Sequence, residues 1–245
     1  MKTSNKILLI GLGLFLVFSV IGLVTFNNQV KASIVQGNGV IKEKVYDNLQ
    51  SFNNVEIKKF DYELIQSNED KVIVKIDENL MDRISVKVTE KGTLKIDRID
   101  GIFNSNNNIK VTIYYKEIHG ITCKSGKCTA KIVSDKFKAT FESGARGDLD
   151  INSSVLYAHV TSGANLKLRG SSDSIVVTGG SGASLKAKKF ITKKCSVKIG
   201  SGTDVEVFAT ELIEGKVSSG ASLEYYGEPK NAQLESSSGG DIDRM

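Results

Sequence analysis

The 245-residue chain has one Pro and no Trp, and no run of Lys and Arg is interleaved with aromatic side chains. The missing basic run argues against a nucleic-acid partner. The formal charge of +5 does not alter this, because residues 1–32 contain Lys2, Lys6 and Lys31 and no acid, and without them the charge is +2. No set of His, Cys or acidic residues has the spacing of a cofactor or zinc site, so we expect no cofactor.

Glycine is frequent where proline is scarce. The 23 Gly residues suit a chain with many tight corners between strands. The roughly 200 residues beyond the N-terminal segment are enough for one domain with a sizeable core.

One short phrase recurs through the second half of the chain. Seven Ser-Gly pairs follow one another at steps of 18 to 20 residues. A fixed period of this length marks a stacked architecture in which each repeat contacts its neighbours. The pairs are Ser125-Gly126, Ser143-Gly144, Ser162-Gly163, Ser181-Gly182, Ser201-Gly202, Ser219-Gly220 and Ser238-Gly239.

Apolar residues alternate with polar ones on both sides of each pair. Before the third pair they are Leu156, Ala158 and Val160, and after it Leu166 and Leu168. A period of two indicates strand, and about 19 residues are too few for a strand, a helix and a return. We therefore predict an all-β fold, a right-handed parallel β-helix with rungs of about 19 residues, apolar residues and Ser inside, and structural Ser-Gly corners.

The pattern divides the chain into three parts. Residues 1–32 precede the β-helix domain, which we place at 33–245. Within it, residues 33–110 alternate like strands without the 19-residue period, and residues 111–245 contain the rungs. The first rung is one residue out of register after its corner, which predicts a bulge or a capping turn.

The N-terminal segment directs the chain out of the cytoplasm. Lys2 and Lys6 precede an uncharged run from Ile7 to Phe26, and Val30-Lys31-Ala32 resembles a signal-peptidase site. A run of 20 residues is also long enough for a membrane anchor. Both a signal peptide cleaved near Ala32 and a retained, periplasm-facing anchor through residues 7–26 stay open, and both place the domain at the cell envelope.

Acidic residues stack in one outward column of the last rungs. Glu206, Glu224 and Asp243 occupy equivalent positions, with Asp204 and Asp241 two residues before their rung's member. Carboxylates at strand spacing repel one another unless a cation intervenes, so a weak Ca²⁺ site is one hypothesis and a solvated acidic face the other.

The nucleophilic and metal-ligating residues form no catalytic set. Cys123 and Cys128 flank the first corner, and a disulfide between them is possible outside the cytoplasm, although Cys123 points inward. Cys195 is expected to be a buried thiol. His119 lies at an inward position and His159 at an outward one, so the two do not cooperate, and no base recurs beside the corner serines.

A set of ordered phrases resembles a known family. They are Gly37-Asn38-Gly39, Phe52 with Val55 and Ile57, Asp77-Glu78-Asn79-Leu80, Gly92-Thr93-Leu94-Lys95-Ile96, the Ser-Gly rungs and Tyr225-Tyr226-Gly227-Glu228-Pro229-Lys230. Together, over roughly residues 37–242, they are similar to the putative auto-transporter adhesin, head GIN domain family. The chain departs from the family at Tyr114-Tyr115, where Pro is common, and at Lys127 after the first corner. The resemblance implies a cell-envelope β-helix and supplies no catalytic residues.

Three functions remain as hypotheses. The first is a non-catalytic binding module, an adhesin that presents a repetitive surface to a glycan or protein of the cell envelope. The second is a polysaccharide-acting β-helix enzyme, against which the missing cluster of acids and bases argues. The third is a self-assembling scaffold like the bactofilins, against which the export signal argues. Neither the ligand nor the oligomeric state follows from the sequence.

Overall fold

A computed structural model describes residues 18–20, 23, 34–99, 102–104 and 109–245. Within these ranges the chain is almost entirely strand, with one 3₁₀ helix at Glu78–Arg83. The strands are β1 (Ile34–Gln36), β2 (Ile41–Tyr46), β3 (Asn54–Lys58), β4 (Asp61–Gln66), β5 (Lys71–Asp77), β6 (Ile84–Val88), β7 (Thr93–Arg98), β8 (Ile102–Asn104), β9 (Lys110–Tyr115), β10 (Gly120–Lys124), β11 (Lys127–Glu142), β12 (Arg146–Val160), β13 (Asn165–Gly179), β14 (Ser184–Ile199), β15 (Asp204–Val217), β16 (Ser222–Tyr226), β17 (Asn231–Ser236) and β18 (Asp241–Arg244).

From β10 to β15 the strands stack in parallel, each paired with the next, and β15 then pairs with both β16 and β17 of the following rung. Leu156 of β12 lies beside Phe137 of β11 and Ile175 of β13, so equivalent positions of the repeat are neighbours. The strands β11 to β15 each bend around most of a rung and are 14 to 16 residues long. This arrangement confirms the predicted parallel β-helix, a solenoid of about seven turns.

The inward columns form one continuous core. Leu156, Ala158 and Val160 before the third corner, and Leu166 and Leu168 after it, are at most 1% exposed. Burial of stacked apolar columns supplies the main stabilising free energy of such a coil, because each rung covers the apolar face of the next.

The corners differ from the sequence expectation in one respect. All seven corner serines have positive φ, between 49° and 55°, and the glycines after six of them have φ between 66° and 78°. Two successive residues with positive φ match a type I′ turn, which Ala145 N–H closes on the Glu142 carbonyl at 3.1 Å. The turn interrupts the strand alternation, so the Ser side chains point outward and the small residue two positions later fills the interior, as Ala164 does.

The first corner is also irregular, as its register suggested. Lys127 pairs with Arg146, so the strand after this corner begins one residue earlier than in the next rung. Gly126 has φ of 137°, and a Cβ there would lie 2.2 Å from the Phe60 carbonyl oxygen. Only glycine allows the two backbones to approach this closely.

Residues before the first Ser-Gly pair form two further rungs in an order that the repeat does not reveal. The strands β3 and β4 pair in parallel with β10 and β11 on one side and with β7 and β9 on the other. The earlier segment therefore lies between the later segment and the Ser-Gly rungs. Beyond them β5 and β6 pair antiparallel with β9 and β7, and β2 pairs antiparallel with β5, which changes the strand direction at this end of the coil.

The predicted signal peptide or anchor, residues 7–26 with the site near Ala32, lies outside the described residues apart from four positions. None of the helical residues that the structure describes belongs to a helix long and apolar enough to cross a membrane.

Candidate functional site

Two outward surfaces of the coil contain most of the exposed functional groups. We call the outward side chains of the segments before each Ser-Gly corner the pre-corner face, and those of the segments after it the post-corner face. On either face, residues of adjacent rungs lie about 4.8 Å apart.

Ion pairs cover the pre-corner face in the first rungs. Glu56 lies 3.2 Å from Lys95 and 3.9 Å from Lys124, whose amine lies 3.4 Å from Glu142. Exposed pairs of this kind contribute little stability each, but they satisfy one another's charge. Glu56, Lys124 and Glu142 are therefore largely neutralised by one another.

The middle rungs of the same face are uncharged. Tyr157 is 47% exposed and lies between Lys138 and Val176 of the adjacent rungs. Two residues further along the strand, His159 Nδ1 is 2.8 Å from the Thr178 hydroxyl. The face thus presents an exposed aromatic ring next to the hydrogen-bonded side chains of His159 and Thr178.

The Tyr157 ring is also one wall of a groove of about 790 Å³, which we call the Tyr157 groove. Its lining includes Glu117, His119, Val133, Asp135, Lys138 and Tyr157. Val133 is 62% exposed and supplies a second apolar surface. The His119 Nε2 atom lies 2.9 Å from Glu117 Oε1, so a hydrogen-bonding pair stands within the same concavity.

The inward position predicted for His119 is wrong. Its side chain is about half exposed, while the neighbouring Ile118 is 2% exposed and occupies the interior. The chain bends between Lys116 and His119, just before β10 begins. The bend reverses which positions of this segment point inward and which point outward. His119 and His159 remain apart from each other, as expected.

The predicted acidic column exists on the post-corner face. Glu206 pairs with Glu224 and Glu224 with Asp243, whereas Ser222 separates Asp204 from Asp241. Glu206 lies 3.5 Å from the Lys186 amine, and Glu224 accepts a hydrogen bond from the Tyr226 hydroxyl at 3.1 Å. In the part of the chain that the structure describes, no three His, Cys, Asp or Glu side chains converge as metal ligands would. The weak Ca²⁺ site and the solvated acidic face both stay predictions.

The three cysteines are free and buried, so the Cys123–Cys128 disulfide is not formed in this structure. Burial raises the pKa of Cys123 and of Cys195 to about 12 and that of Cys128 well above its ordinary value. Tyr62 is buried beside the first two thiols, and the same loss of hydration raises the pKa of its hydroxyl. Thiols held neutral in this way are poor nucleophiles.

The corner serines have a structural setting. The Gly144 N–H donates to the Ser162 carbonyl at 2.9 Å, and the Gly163 N–H donates to the Ser181 carbonyl at 3.0 Å. These bonds continue the parallel ladder through the corners, and at the first corner the Ser125 hydroxyl also donates to the Ser143 carbonyl at 2.8 Å. No imidazole or amine shares a hydrogen bond with them among the described residues.

The Tyr157 groove is the feature that the sequence argument did not single out. Tyr157 lies at an outward position of β12, between Lys138 and Val176 of the adjacent rungs. A large aromatic side chain at an outward strand position was the available signal, because such a ring offers a ligand a flat contact surface with a polar hydroxyl at its edge.

Comparisons with known proteins agree with this architecture. The family model described as putative auto-transporter adhesin, head GIN domain, matches residues 51–229. No curated protein matches the chain.

Several solved structures share the fold, including the following three. A putative adhesin from Bacteroides fragilis NCTC 9343 is 18% identical with a TM-score of 0.80, and the match covers 86% of this chain and 100% of that one. A putative lipid binding protein from Parabacteroides distasonis ATCC 8503 is 18% identical with a TM-score of 0.69, covering 86% and 99%. A putative adhesin from Parabacteroides merdae ATCC 43184 is 14% identical with a TM-score of 0.66, covering 87% and 99%.

Proposed function

Because the chain belongs to the putative auto-transporter adhesin, head GIN domain family, we propose that it is a non-catalytic binding module of the cell envelope that holds carbohydrate in the Tyr157 groove. The observation that carries the proposal is the exposed Tyr157 ring at the wall of a groove that also contains His119, Glu117 and Lys138. The module would lie outside the cytoplasm, either released or anchored by residues 7–26.

The chemistry of the groove suits a sugar better than an apolar ligand. An aromatic ring presents a flat apolar surface with a defined edge and face, and the C–H side of a pyranose ring is flat and weakly apolar. Polar groups around an apolar surface fix the orientation of a ligand through hydrogen bonds. The His119 imidazole and the Glu117 carboxylate contact each other at 2.9 Å, and the second oxygen of the carboxylate and the other ring nitrogen of His119 are further hydrogen-bonding atoms for sugar hydroxyls.

The repeat favours a polymeric ligand over a small one. Parallel rungs present equivalent positions at a constant spacing, so a chain of sugars running along the coil axis meets Lys138, Tyr157 and Val176 in turn. A surface that contacts several units gains affinity without a deep pocket.

Binding to a glycan panel tests the proposal. The purified full-length chain should bind at least one neutral polysaccharide, and Tyr157→Ala should weaken this binding at least about tenfold, the effect of losing roughly 1.4 kcal/mol. Tyr157→Phe keeps the ring and should retain most of the affinity. Ile191→Ala removes an equally exposed apolar side chain outside the groove and should leave binding unchanged.

The two other functions give different results in the same samples. An enzyme would release reducing ends or unsaturated products from the bound polysaccharide, and a scaffold would sediment as a polymer. Binding that survives in Tyr157→Ala, or a panel without a single neutral ligand, would contradict the proposed groove.

A further inference from the structure

A second concavity lies on the post-corner face, away from the Tyr157 groove. Its volume is about 320 Å³, and we call it the basic groove. The groove has five cationic side chains and a single acidic one in its lining, although the chain beyond residue 32 has a formal charge of only +2. The lining consists of Lys167, Leu168, Arg169, Lys186, Lys188, Lys189 and Glu206.

Two rungs and a local bulge concentrate these charges. Lys167 lies beside Lys186 and Arg169 lies beside Lys189 in the parallel ladder between β13 and β14. The register shifts between these two pairs, because β14 has one more residue than β13 over this stretch. Such a bulge turns an additional side chain outward, and here it adds Lys188 to the same surface.

Internal partners neutralise only part of the charge. Arg169 forms an ion pair with Asp148 at 2.7 Å, and Lys186 lies 3.5 Å from Glu206. Among the described residues, neither Lys167 nor Lys189 has an ion-pair partner. The Lys188 amine lies 4.1 Å from the centroid of the Tyr226 ring, a contact that directs the side chain and preserves its charge.

Like charges in adjacent strands are unfavourable when nothing lies between them. Three incompletely neutralised lysines within one shallow groove therefore form a site whose free energy falls when an anion binds. We propose that the basic groove binds an anionic polysaccharide, through repeated carboxylate or sulfate groups on its sugars.

The surroundings of the groove favour a sparsely charged polymer over a nucleic acid. Asp148 and Asp150 border it in the preceding rung, and Glu206 and Glu224 border it in the following ones. A phosphate backbone has roughly one charge per 1.7 Å of duplex, so it would place anions against both acidic borders. A polysaccharide with one acidic group per sugar spaces its charges more widely and can place them between the borders.

Binding of two acidic polymers to the full-length chain tests this inference. Polygalacturonate presents carboxylates and chondroitin sulfate presents carboxylates and sulfates, each with about one acidic group per sugar, and we expect at least one to bind with an affinity that falls as salt rises. The variant Lys167→Gln with Lys189→Gln should bind at least about tenfold more weakly, and the slope of log affinity against log salt should decrease by about 1–2 for the two lysines together.

A control changes the net charge equally at other positions. Lys198→Gln with Lys230→Gln removes two exposed lysines outside the groove and should leave affinity and salt slope unchanged. Tyr157→Ala should also leave acidic-polymer binding intact, which separates this site from the neutral-glycan site. Circular dichroism and melting temperature verify that each variant is folded.

Three results would overturn the inference. The first is a loss of binding in the control pair as large as in the groove pair, which would mean diffuse attraction by net charge. The second is tighter binding of single-stranded DNA of equal length than of both polysaccharides at the same salt concentration. The third is the absence of binding by both acidic polymers at low salt.

Discussion

The Asp77 carboxylate accepts a hydrogen bond from the Gly39 N–H at 2.7 Å, across 38 residues of chain. Asp77 is fully buried, and a Cβ on Gly37 would lie 2.5 Å from its Cγ, so glycine is required there. The neighbouring Asn79 supports the same loop, because its side chain accepts from Asn38 N–H and donates to the Gln36 carbonyl. The phrases Gly37-Asn38-Gly39 and Asp77-Glu78-Asn79-Leu80, both part of the family resemblance, are thus the two sides of one contact.

Removal of the Asp77 carboxylate should destabilise this contact. We expect Asp77→Ala to lower the free energy of unfolding by about 1–3 kcal/mol, since the Gly39 N–H loses its charged acceptor and a cavity remains. Asp82→Ala is the matched control, because Asp82 is exposed on the 3₁₀ helix that directly follows Asp77. Urea denaturation of the two variants measures the difference, and equal stabilities would refute a structural role for Asp77.

Gly170 should be irreplaceable in the coil. Its φ is +108°, and a Cβ would lie 2.1 Å from the Ile151 carbonyl oxygen of the rung below. Gly170→Ala must move backbone to relieve this overlap and should cost about 2 kcal/mol or more. Gly180→Ala is the control, because a Cβ there meets nothing within 4 Å. Melting temperatures should therefore separate the two, and a Gly170→Ala variant as stable as Gly180→Ala would contradict the close approach of the rungs.

The left-handed backbone at the corner serines makes a similar prediction. Ser162 has φ of 54°, which costs an ordinary residue about 1–2 kcal/mol and a β-branched one more. Ser162→Val should therefore lower stability by more than about 1 kcal/mol. Ser162→Gly should change it little, because relief of strain and the extra freedom of the unfolded chain offset each other.

Ser184→Val provides the strand control for this corner. Ser184 begins β14 with its side chain partly exposed, and a β-branched residue suits a strand. We expect this variant to be as stable as the unmodified chain in thermal melts. A loss of stability equal to that of Ser162→Val would show that valine, and not the corner backbone, causes the effect.

The regular part of the fold could be predicted because the alternation within each strand and the spacing of the corners are both visible in short stretches of sequence. Alternation and the Ser-Gly period predicted which residues share a column, and the pairs Lys167 with Lys186 and Glu206 with Glu224 confirm it. The corner before β4 could not be predicted, because Lys59 has a left-handed φ of 66° and no Ser-Gly pair marks it in the sequence. The order of the first rungs could not be predicted either, because the pairing of β3 with β7 and β10 produces no periodic pattern in the sequence.

The candidate sites depend on the local irregularities that the repeat hides. His119 faces the Tyr157 groove because the chain bends before β10, and Lys188 joins the basic groove because β14 contains an extra residue. Counting positions within the repeat assigns a side chain to the inside or the outside by its odd or even position. Such a count cannot detect the bend before β10 or the extra residue in β14. Exposure of Tyr157 was implied by its outward position, but the groove beside it arises from side chains of two different segments.

The buried thiols should make stability depend on alkaline pH. In the folded chain burial raises the pKa of Cys195 from 9.0 to about 12. Between these values the unfolded chain loses a proton that the folded chain keeps. The stabilising contribution is therefore complete below pH 9 and is lost as the pH rises towards 12, by at most about 1.4 kcal/mol per pH unit for one thiol.

Substitution of one thiol isolates its share of this dependence. Cys195→Val replaces a buried thiol with an apolar side chain of similar size, so urea denaturation at pH 8.0 and 10.5 should show a smaller loss of stability than in the unmodified chain. An identical loss in both would mean that the Cys195 thiol ionises equally in the folded and unfolded states.

Alkylation gives an independent measurement, because iodoacetamide at pH 8 should leave Cys123, Cys128 and Cys195 unmodified in the folded chain and label all three in urea. Rapid labelling without denaturant would show that the solenoid opens at these rungs and that the thiols are not held neutral by burial.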